Sequence, residues 1–283
     1  MKGKILIIGG NVDKGTLFET GVPKEIDYLN FFEQGILESM LFEIEPKSFP
    51  VEIITSASLI PDEVGKEYLM AFRKLGKENA GVLNPVTREE ADYPDVLNRI
   101  KKCSALIFTG GDQYRLEKIF TETRFLQILK NRLKFEKDFL VAGTSAGAMA
   151  FSKEMIRSGD KTERIVKGGV IWGNGFGLIK NIVIDTHFVN RKRFSRLIEA
   201  VATYPNLLGV GLGEDAAVLI KNGIHMKTIG SGLVVLMDAR KTTENSFENI
   251  KPGENICLEN VMLHIMTKGR RFNLNERQLV KIE

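Results

Sequence analysis

Short apolar runs alternate with amphipathic segments through the first part of the chain. The apolar runs occupy residues 5–8, 51–55, 105–109, 140–142 and 182–184. Helical periodicity occupies residues 27–42, 61–75, 94–101, 114–120 and 124–134. Continuous apolar runs are typical of strands buried on both faces, and the segments between them are long enough for right-handed crossover helices. The pattern therefore predicts an α/β fold, with a mainly parallel, doubly wound sheet flanked by helices.

The hydrophobic pattern changes after about residue 210. Short alternating segments at residues 216–220, 227–229, 233–237 and 261–266 are separated by Asn222-Gly223, Gly230 and Gly269. Such turn residues between alternating segments are typical of antiparallel hairpins, which we expect beside the main sheet. Internal repeats, low-complexity tracts and a proline-rich linker are all missing from the sequence. We therefore expect residues 1–283 to form a single domain.

Composition narrows the class of protein. With 43% hydrophobic and 27% charged residues, the chain has enough apolar surface for a substantial core. A net charge of +4 is too small to argue for nucleic acid, and the first apolar run is too short for a membrane span. Cys103 and Cys257 are too few for a disulfide framework. We expect a cytoplasmic protein without nucleic-acid or membrane partners.

Glycine-containing loops follow three of the predicted strands, at Gly9-Gly10, at Gly110-Gly111 and at residues 143–147. Loops at the carboxyl ends of parallel strands form the ligand crevice of a doubly wound sheet. The segment that starts at Gly9 matches neither the dinucleotide-binding spacing nor the P-loop spacing. We therefore expect no nucleotide cofactor and no metal, and we look for the chemistry in side chains at this crevice.

The third loop, Gly143-Thr144-Ser145-Ala146-Gly147, has the Gly-x-Ser-x-Gly pattern between a predicted strand and a predicted helix. A nucleophile elbow needs this setting, because small flanking residues permit a sharp turn that exposes the serine oxygen. The following helix also presents free N–H groups to a developing oxyanion. The alternative is that Thr144 or Ser145 only caps the helix.

A nucleophilic serine needs a base, and the chain has three histidines. His225 and His264 lie within predicted alternating strands, where an imidazole is commonly structural. His187 directly follows the predicted strand, taken here as residues 182–185, at the carboxyl end where the crevice lies. His187 is therefore the candidate base.

The carboxylate that should orient this histidine stays open on spacing alone. Five acidic residues lie on segments that could reach it, and Asp185 could equally bind substrate because it shares a strand face with His187. The five candidates are Asp160, Glu163, Asp185, Glu214 and Asp215.

Polar side chains near these residues suggest a site for an anionic group. Arg191, Arg193 and Arg196 follow His187, and guanidinium groups bind carboxylates in a bidentate manner. Gln113, after Gly110-Gly111, can donate to a substrate carbonyl or carboxylate. The alternative for the arginines is a solvated helix face with surface ion pairs.

Together these motifs resemble cyanophycinase and the related aspartyl dipeptidases, which are serine peptidases with a class I glutamine amidotransferase-like fold. The likeness covers nearly the whole chain. It includes residues 7–14, 55–58, 108–113, 143–148, 185–196 and 209–217, and a closing segment at 264–272 that is less expected of the shorter dipeptidases.

The resemblance implies roles for individual residues. It implies a triad of Ser145, His187 and Glu163, an oxyanion hole formed by the N–H groups of Gly111 and Ala146, and a homodimer. The implied substrate-binding residues are Gln113, Asp185, Arg191, Arg193 and Arg196.

The chain departs from the family pattern at two positions. Thr186 stands where cyanophycinases usually have glutamine, and Gly213 replaces an acidic residue. Both departures bear on substrate preference.

The expected function is that of a serine-type exopeptidase. It would cleave the aspartyl backbone of cyanophycin to β-Asp-Arg dipeptides through an acyl-enzyme on Ser145. Three alternatives remain: a dipeptidase for short Asp-X peptides, a non-catalytic anion-binding module, and an α/β-hydrolase esterase. The esterase is disfavoured, since its acid and histidine usually lie late in the chain.

Overall fold

The computed structural model describes residues 1–15, 31–44, 48–159 and 164–281. Within these ranges the helices are α1 Phe31–Gln34, α2 Ile36–Phe42, α3 Pro61–Lys74, α4 Arg88–Ala91, α5 Pro94–Lys102, α6 Gln113–Phe120, α7 Arg124–Phe135, α8 Ala146–Met149 and α9 Phe194–Thr203. The strands are β1 Lys4–Ile8, β2 Val51–Ile54, β3 Ala80–Leu83, β4 Ala105–Phe108, β5 Leu140–Thr144, β6 Glu154–Gly159, β7 Val170–Asn174, β8 Ile182–Thr186, β9 Leu208–Leu212, β10 Ala216–Lys221, β11 His225–Gly230, β12 Val234–Asp238, β13 Glu244–Asn245, β14 Leu258–Glu259, β15 Met262–Met266, β16 Arg271–Asn273 and β17 Gln278–Leu279. A 3₁₀ helix covers Ser246–Asn249.

The main sheet has nine strands in the order β17-β16-β11-β10-β1-β5-β4-β2-β3. Its strands β1, β5, β4, β2 and β3 run parallel, and β10, β11, β16 and β17 add antiparallel pairs at the β1 edge. This confirms the α/β fold with a parallel-rich sheet and C-terminal hairpins. Helices pack against the sheet, and no helix of the described residues is long and apolar enough to cross a membrane.

One predicted strand belongs elsewhere. We expected residues 182–184 to join the main sheet, but β8 lies in a second sheet of order β15-β12-β9-β8. Its parallel partner is β9, whose Leu-Gly-Val-Gly-Leu sequence interrupts the apolar run with glycine and so was not predicted as a strand. Strands β12 and β15 form antiparallel pairs in this sheet, as their alternating pattern indicates.

Two clusters of buried apolar side chains hold these elements together. One includes Leu6 and Ile8 of β1 with Tyr68 and Phe72 of α3, and the other contains Ile5 and Ile7 of β1. The second cluster extends to β8, α9 and β12, so it joins both sheets. Burial of each large apolar side chain stabilises the fold by about 1.5–3 kcal/mol, and the alternate residues of β1 supply it on both faces.

Local sequence signals set the helix that reaches the candidate site. The Asp112 side chain accepts a hydrogen bond from the Tyr114 N–H, so it caps α6 at its N-terminus. The cap fixes Gln113 as the first helical residue, directly after the loop at Gly110-Gly111. The hairpin of β6 and β7, which the sequence patterns did not indicate, packs beside this helix.

Candidate active site

The predicted elbow is a sharp turn between β5 and α8. Ser145 has φ 51° and ψ −114°, and its side chain makes no capping hydrogen bond. A Cβ at Gly147 would lie 2.3 Å from the Phe108 carbonyl oxygen, and one at Gly143 would lie 2.6 Å from the Gly147 backbone. Such a conformation costs a non-glycine residue about 1–3 kcal/mol. The glycines permit this strained turn, and the capping alternative for Ser145 is not what the side chain does.

His187 faces the serine. Its Nε2 atom lies 3.0 Å from the Ser145 Oγ atom. The histidine has φ 50° and its N–H donates to the Gly9 carbonyl at 2.8 Å, so the backbone holds the ring over the elbow. A Cβ at Gly10 would lie 2.4 Å from the His187 ring, which explains the second glycine of the first loop.

The carboxylate that contacts His187 is Glu214. Its Oε1 atom lies 2.7 Å from His187 Nδ1. The Asn11 Nδ2 group donates to the other carboxylate oxygen at 3.3 Å, and the Glu214 N–H donates to Asn190 Oδ1 at 3.3 Å. Ser145, His187 and Glu214 thus form one hydrogen-bonded line, with Asn11 fixing its far end.

The other four candidate carboxylates are placed differently. Glu163, which the family resemblance implied, and Asp160 lie outside the described residues. Asp185 forms ion pairs with Arg193 and Arg196, and Asp215 accepts hydrogen bonds from Ser231. Spacing could not select Glu214, because it is separated from His187 by α9 and β9 and approaches through the pairing of β8 with β9.

The surroundings of His187 favour a neutral ring. Burial lowers its pKa below the ordinary value of 6.5, the charges of Arg191 and Arg193 lower it further, and the hydrogen bond and charge of Glu214 oppose the change. A neutral imidazole can accept the serine proton at Nε2 while its Nδ1–H donates to Glu214.

The two predicted oxyanion residues, Gly111 and Ala146, lie on the segments next to Ser145. Ala146 is the first residue of α8, so its N–H has no acceptor within the helix. The loop at Gly110-Gly111 touches the elbow, since a Cβ at Gly110 would lie 3.4 Å from the Ser145 Cβ. Gly111 has φ 141°, and a Cβ there would lie 2.1 Å from the Ala57 carbonyl oxygen. Gly111 also lines one cavity together with Ser145 and His187.

A cationic cavity lies next to the His187 turn. It has a volume of about 520 Å³, and we call it the arginine cavity. Its lining comprises Gln113, Arg157, Ser158, Gly159, Arg191, Lys192, Arg193 and Arg196.

Asp185 forms ion pairs with two arginines of this cavity. It is fully buried and pairs with both Arg193 and Arg196, and Arg193 also donates to the Thr186 carbonyl at 2.6 Å. Burial, chiefly, and the neighbouring Arg196 lower the pKa of Arg193 to about 10, so it still carries its charge at neutral pH. The structure therefore brings Gln113 and the three predicted arginines together, with Asp185 holding two of them.

Sequence patterns missed two cations of this cavity, Arg157 and Lys192. Arg157, on β6, stacks its guanidinium 3.3 Å from the centroid of the Tyr114 ring. Its backbone carbonyl accepts a hydrogen bond from Gln113. Because the hairpin of β6 and β7 had no clear alternating pattern, no signal placed Arg157 near the site. Within the described ranges, no group of three or more metal-ligating side chains is positioned to hold an ion.

The chain belongs to peptidase family S51, a family of serine peptidases. The model of that family matches residues 52–227, which is more than half of the chain. The cyanophycinase of Trichormus variabilis is 33% identical over 279 residues, covering 99% of this chain and 88% of that protein. The cyanophycinase of Synechococcus elongatus is 32% identical over 229 residues, covering 81% and 71%.

These relatives make the chain a cyanophycinase-like serine peptidase. A solved structure has the same fold: a peptidase from an acI-B1 Actinobacterium aligns with a TM-score of 0.67 at 20% identity, covering 97% of this chain and 98% of that one.

Proposed function

We propose that this peptidase hydrolyses the aspartyl backbone of cyanophycin, a polyaspartate with arginine side groups, and releases β-Asp-Arg dipeptides. The observation that carries the proposal is the hydrogen-bonded line from Ser145 through His187 to Glu214, next to the arginine cavity. The cyanophycinases to which the chain is similar support the choice of substrate.

The reaction proceeds as two acyl transfers. The Ser145 Oγ atom attacks the aspartyl carbonyl carbon while His187 Nε2 takes the hydroxyl proton. The N–H groups of Gly111 and Ala146 stabilise the negative charge that develops on the carbonyl oxygen. When the C–N bond breaks, His187 returns the proton to the leaving amine. Water then attacks the ester, with His187 again as base, and restores the serine hydroxyl.

In this proposal Glu214 is the orienting carboxylate. Its contact with Nδ1 keeps the proton on that nitrogen and leaves the lone pair of Nε2 facing the serine. The resemblance implied Glu163 for this role, and the 2.7 Å contact supports Glu214 instead.

Substrate binding falls to the arginine cavity. Gln113, Arg191, Arg193 and Arg196 bind carboxylate and carbonyl oxygens of the substrate, and Asp185 positions two of these arginines from below. Removal of Asp185 would leave buried guanidinium groups without a counter-charge.

Three further features extend the proposal to the whole chain. The enzyme acts as a single peptidase domain and as a homodimer in the cytoplasm. The two cysteines, Cys103 and Cys257, are both free, which suits a reducing compartment.

The test compares the wild type with Ser145→Ala on purified cyanophycin and on a series of Asp-X dipeptides. Released β-Asp-Arg is quantified by mass spectrometry. We expect the variant to lose at least about 10³-fold in turnover, since it retains only oxyanion stabilisation and binding. Ser152→Ala, at a fully buried serine seven residues later, is the control. Undiminished turnover by Ser145→Ala would exclude Ser145 as the nucleophile. Cleavage of only the dipeptides by the wild type would exclude cyanophycin as the substrate.

A further inference from the structure

A second cavity, distinct from the arginine cavity, is lined by Ser145 and His187. It has a volume of about 320 Å³ and we call it the α3 cavity. Ser145 and His187 form one wall, and the loops after β1, β2 and β4 and one face of α3 form the rest. Its lining comprises Asn11, Val12, Lys14, Ser58, Ile60, Val64, Glu67, Tyr68, Gly110, Gly111, Thr144, Ser145 and His187.

The two cavities flank the nucleophile from opposite faces of the main sheet. Tyr68 of α3 belongs to the apolar cluster on one face, whereas Leu197 of α9, which follows the arginines, belongs to the cluster on the other. A peptide whose scissile carbonyl lies at Ser145 thus has a cavity available on each face of the sheet. The function proposed above uses Ser145, His187 and Gly111 of the α3 cavity and gives no role to its α3 residues.

The α3 cavity contains one cation and one anion. Lys14 Nζ lies 3.2 Å from Glu67 Oε2, and the side chains are 25% and 58% exposed. Lys14 also lies 5.3 Å from the centroid of the Tyr68 ring. Burial, chiefly, and the charge of Glu67 raise the pKa of Tyr68 well above its ordinary value, so the phenol stays neutral. The charge of this cavity is therefore balanced, whereas the arginine cavity has a large excess of positive charge.

The helix that carries Glu67 is held close to the nucleophile. The next residue, Tyr68, is buried and its side chain hydrogen-bonds to Thr144, which directly precedes Ser145. This contact ties the part of α3 that carries Glu67 to the strand that ends at the nucleophile. The Glu67 side chain is 58% exposed, so a ligand can reach it.

We infer that the α3 cavity binds the arginine side group of a substrate residue, with Glu67 accepting hydrogen bonds from the guanidinium and Lys14 binding the carboxylate of the same arginine. An arginine joined to aspartate through its amino group keeps a positive guanidinium and a negative carboxylate. One such side group can therefore replace the Lys14–Glu67 ion pair and leave neither residue unpaired. A carboxylate and a guanidinium form strong, bidentate hydrogen bonds. The inference rests on the proposed function, because it takes the arginine-bearing polymer as substrate.

The test removes one charge from the enzyme and one from the substrate. We measure KM and kcat for Glu67→Gln on a synthetic oligomer of β-Asp-Arg and on a matched oligomer in which citrulline replaces arginine. Citrulline keeps the length of the side group but lacks the positive charge. We expect Glu67→Gln to raise KM about 5- to 20-fold for the arginine oligomer, and less than about twofold for the citrulline oligomer, with kcat retained.

The matched control is Glu63→Gln. Glu63 lies one turn earlier on α3, is exposed, and does not line the cavity. It should leave the kinetics of both oligomers unchanged. An equal change for both oligomers with Glu67→Gln, or no change for either, would overturn the subsite.

A binding measurement separates failure of the subsite from failure of the proposed function. If the wild type hydrolyses neither oligomer, the proposed function fails. Calorimetric titration of β-Asp-Arg into Ser145→Ala, with and without Glu67→Gln, then tests the subsite without turnover. Weaker binding in the double variant supports the subsite, and identical isotherms would contradict it. Thermal unfolding confirms that each variant is folded.

Discussion

Replacement of Glu214 by glutamine tests whether Glu214 or Glu163 is the carboxylate that orients His187. The 2.7 Å contact with Nδ1 is a charge-assisted hydrogen bond, worth about 1.5–3 kcal/mol, which corresponds to about 10- to 150-fold in rate. The glutamine amide can also donate to Nδ1, which moves the ring proton to Nε2 and blocks the base. A wrong tautomer of this kind costs up to about 10⁴-fold. We therefore expect kcat/KM to fall by about 10²- to 10⁴-fold. KM should change little, because Glu214 contacts His187 and is not among the proposed substrate-binding residues.

The assay follows β-Asp-Arg release across a pH series and includes Glu163→Gln as the matched comparison. Glu214 raises the pKa of His187, so its loss should move the acidic limb of kcat/KM to lower pH. If Glu214 is the orienting carboxylate, Glu163→Gln should leave the acidic limb in place. A large loss in Glu163→Gln, with Glu214→Gln close to the wild type, would refute the assignment.

Two other predictions concern the surroundings of His187. Because burial lowers the pKa of His187, the acidic limb of wild-type kcat/KM should lie below pH 6.5. The charge of Arg191 also lowers this pKa, so Arg191→Gln should move the limb to higher pH. A limb that stays in place in Arg191→Gln would contradict the electrostatic reasoning. Gly10→Ala puts a Cβ 2.4 Å from the His187 ring and should reduce kcat on the order of 10²-fold. The control is Gly76→Ala, also at positive φ but with nothing within 4 Å, which should cost only about 1–2 kcal/mol of unfolding free energy. Equal kcat values for the two variants would show that the position of the ring does not depend on Gly10.

The predicted strands and helices agree with the structure where the hydrophobic signal is continuous. The run at residues 5–8 is β1, and the run at residues 105–109 is β4 within one residue. Periodicity failed at β9, whose glycines break the apolar run, and therefore also at the sheet to which β8 belongs. Strand partners depend on contacts between distant segments, and a short run does not contain that information.

At the site, the sequence by itself determined the residues with distinctive local chemistry. Ser145 stands in the Gly-x-Ser-x-Gly pattern that an elbow requires, and His187 was selected because it alone of the three histidines follows a predicted strand at its carboxyl end. Three choices needed the tertiary structure: Glu214 among five carboxylates, Arg157 on an unforeseen hairpin, and the pairing of Lys14 with Glu67 across 53 residues. Each depends on a contact between segments that are distant along the chain, and local spacing does not encode such contacts.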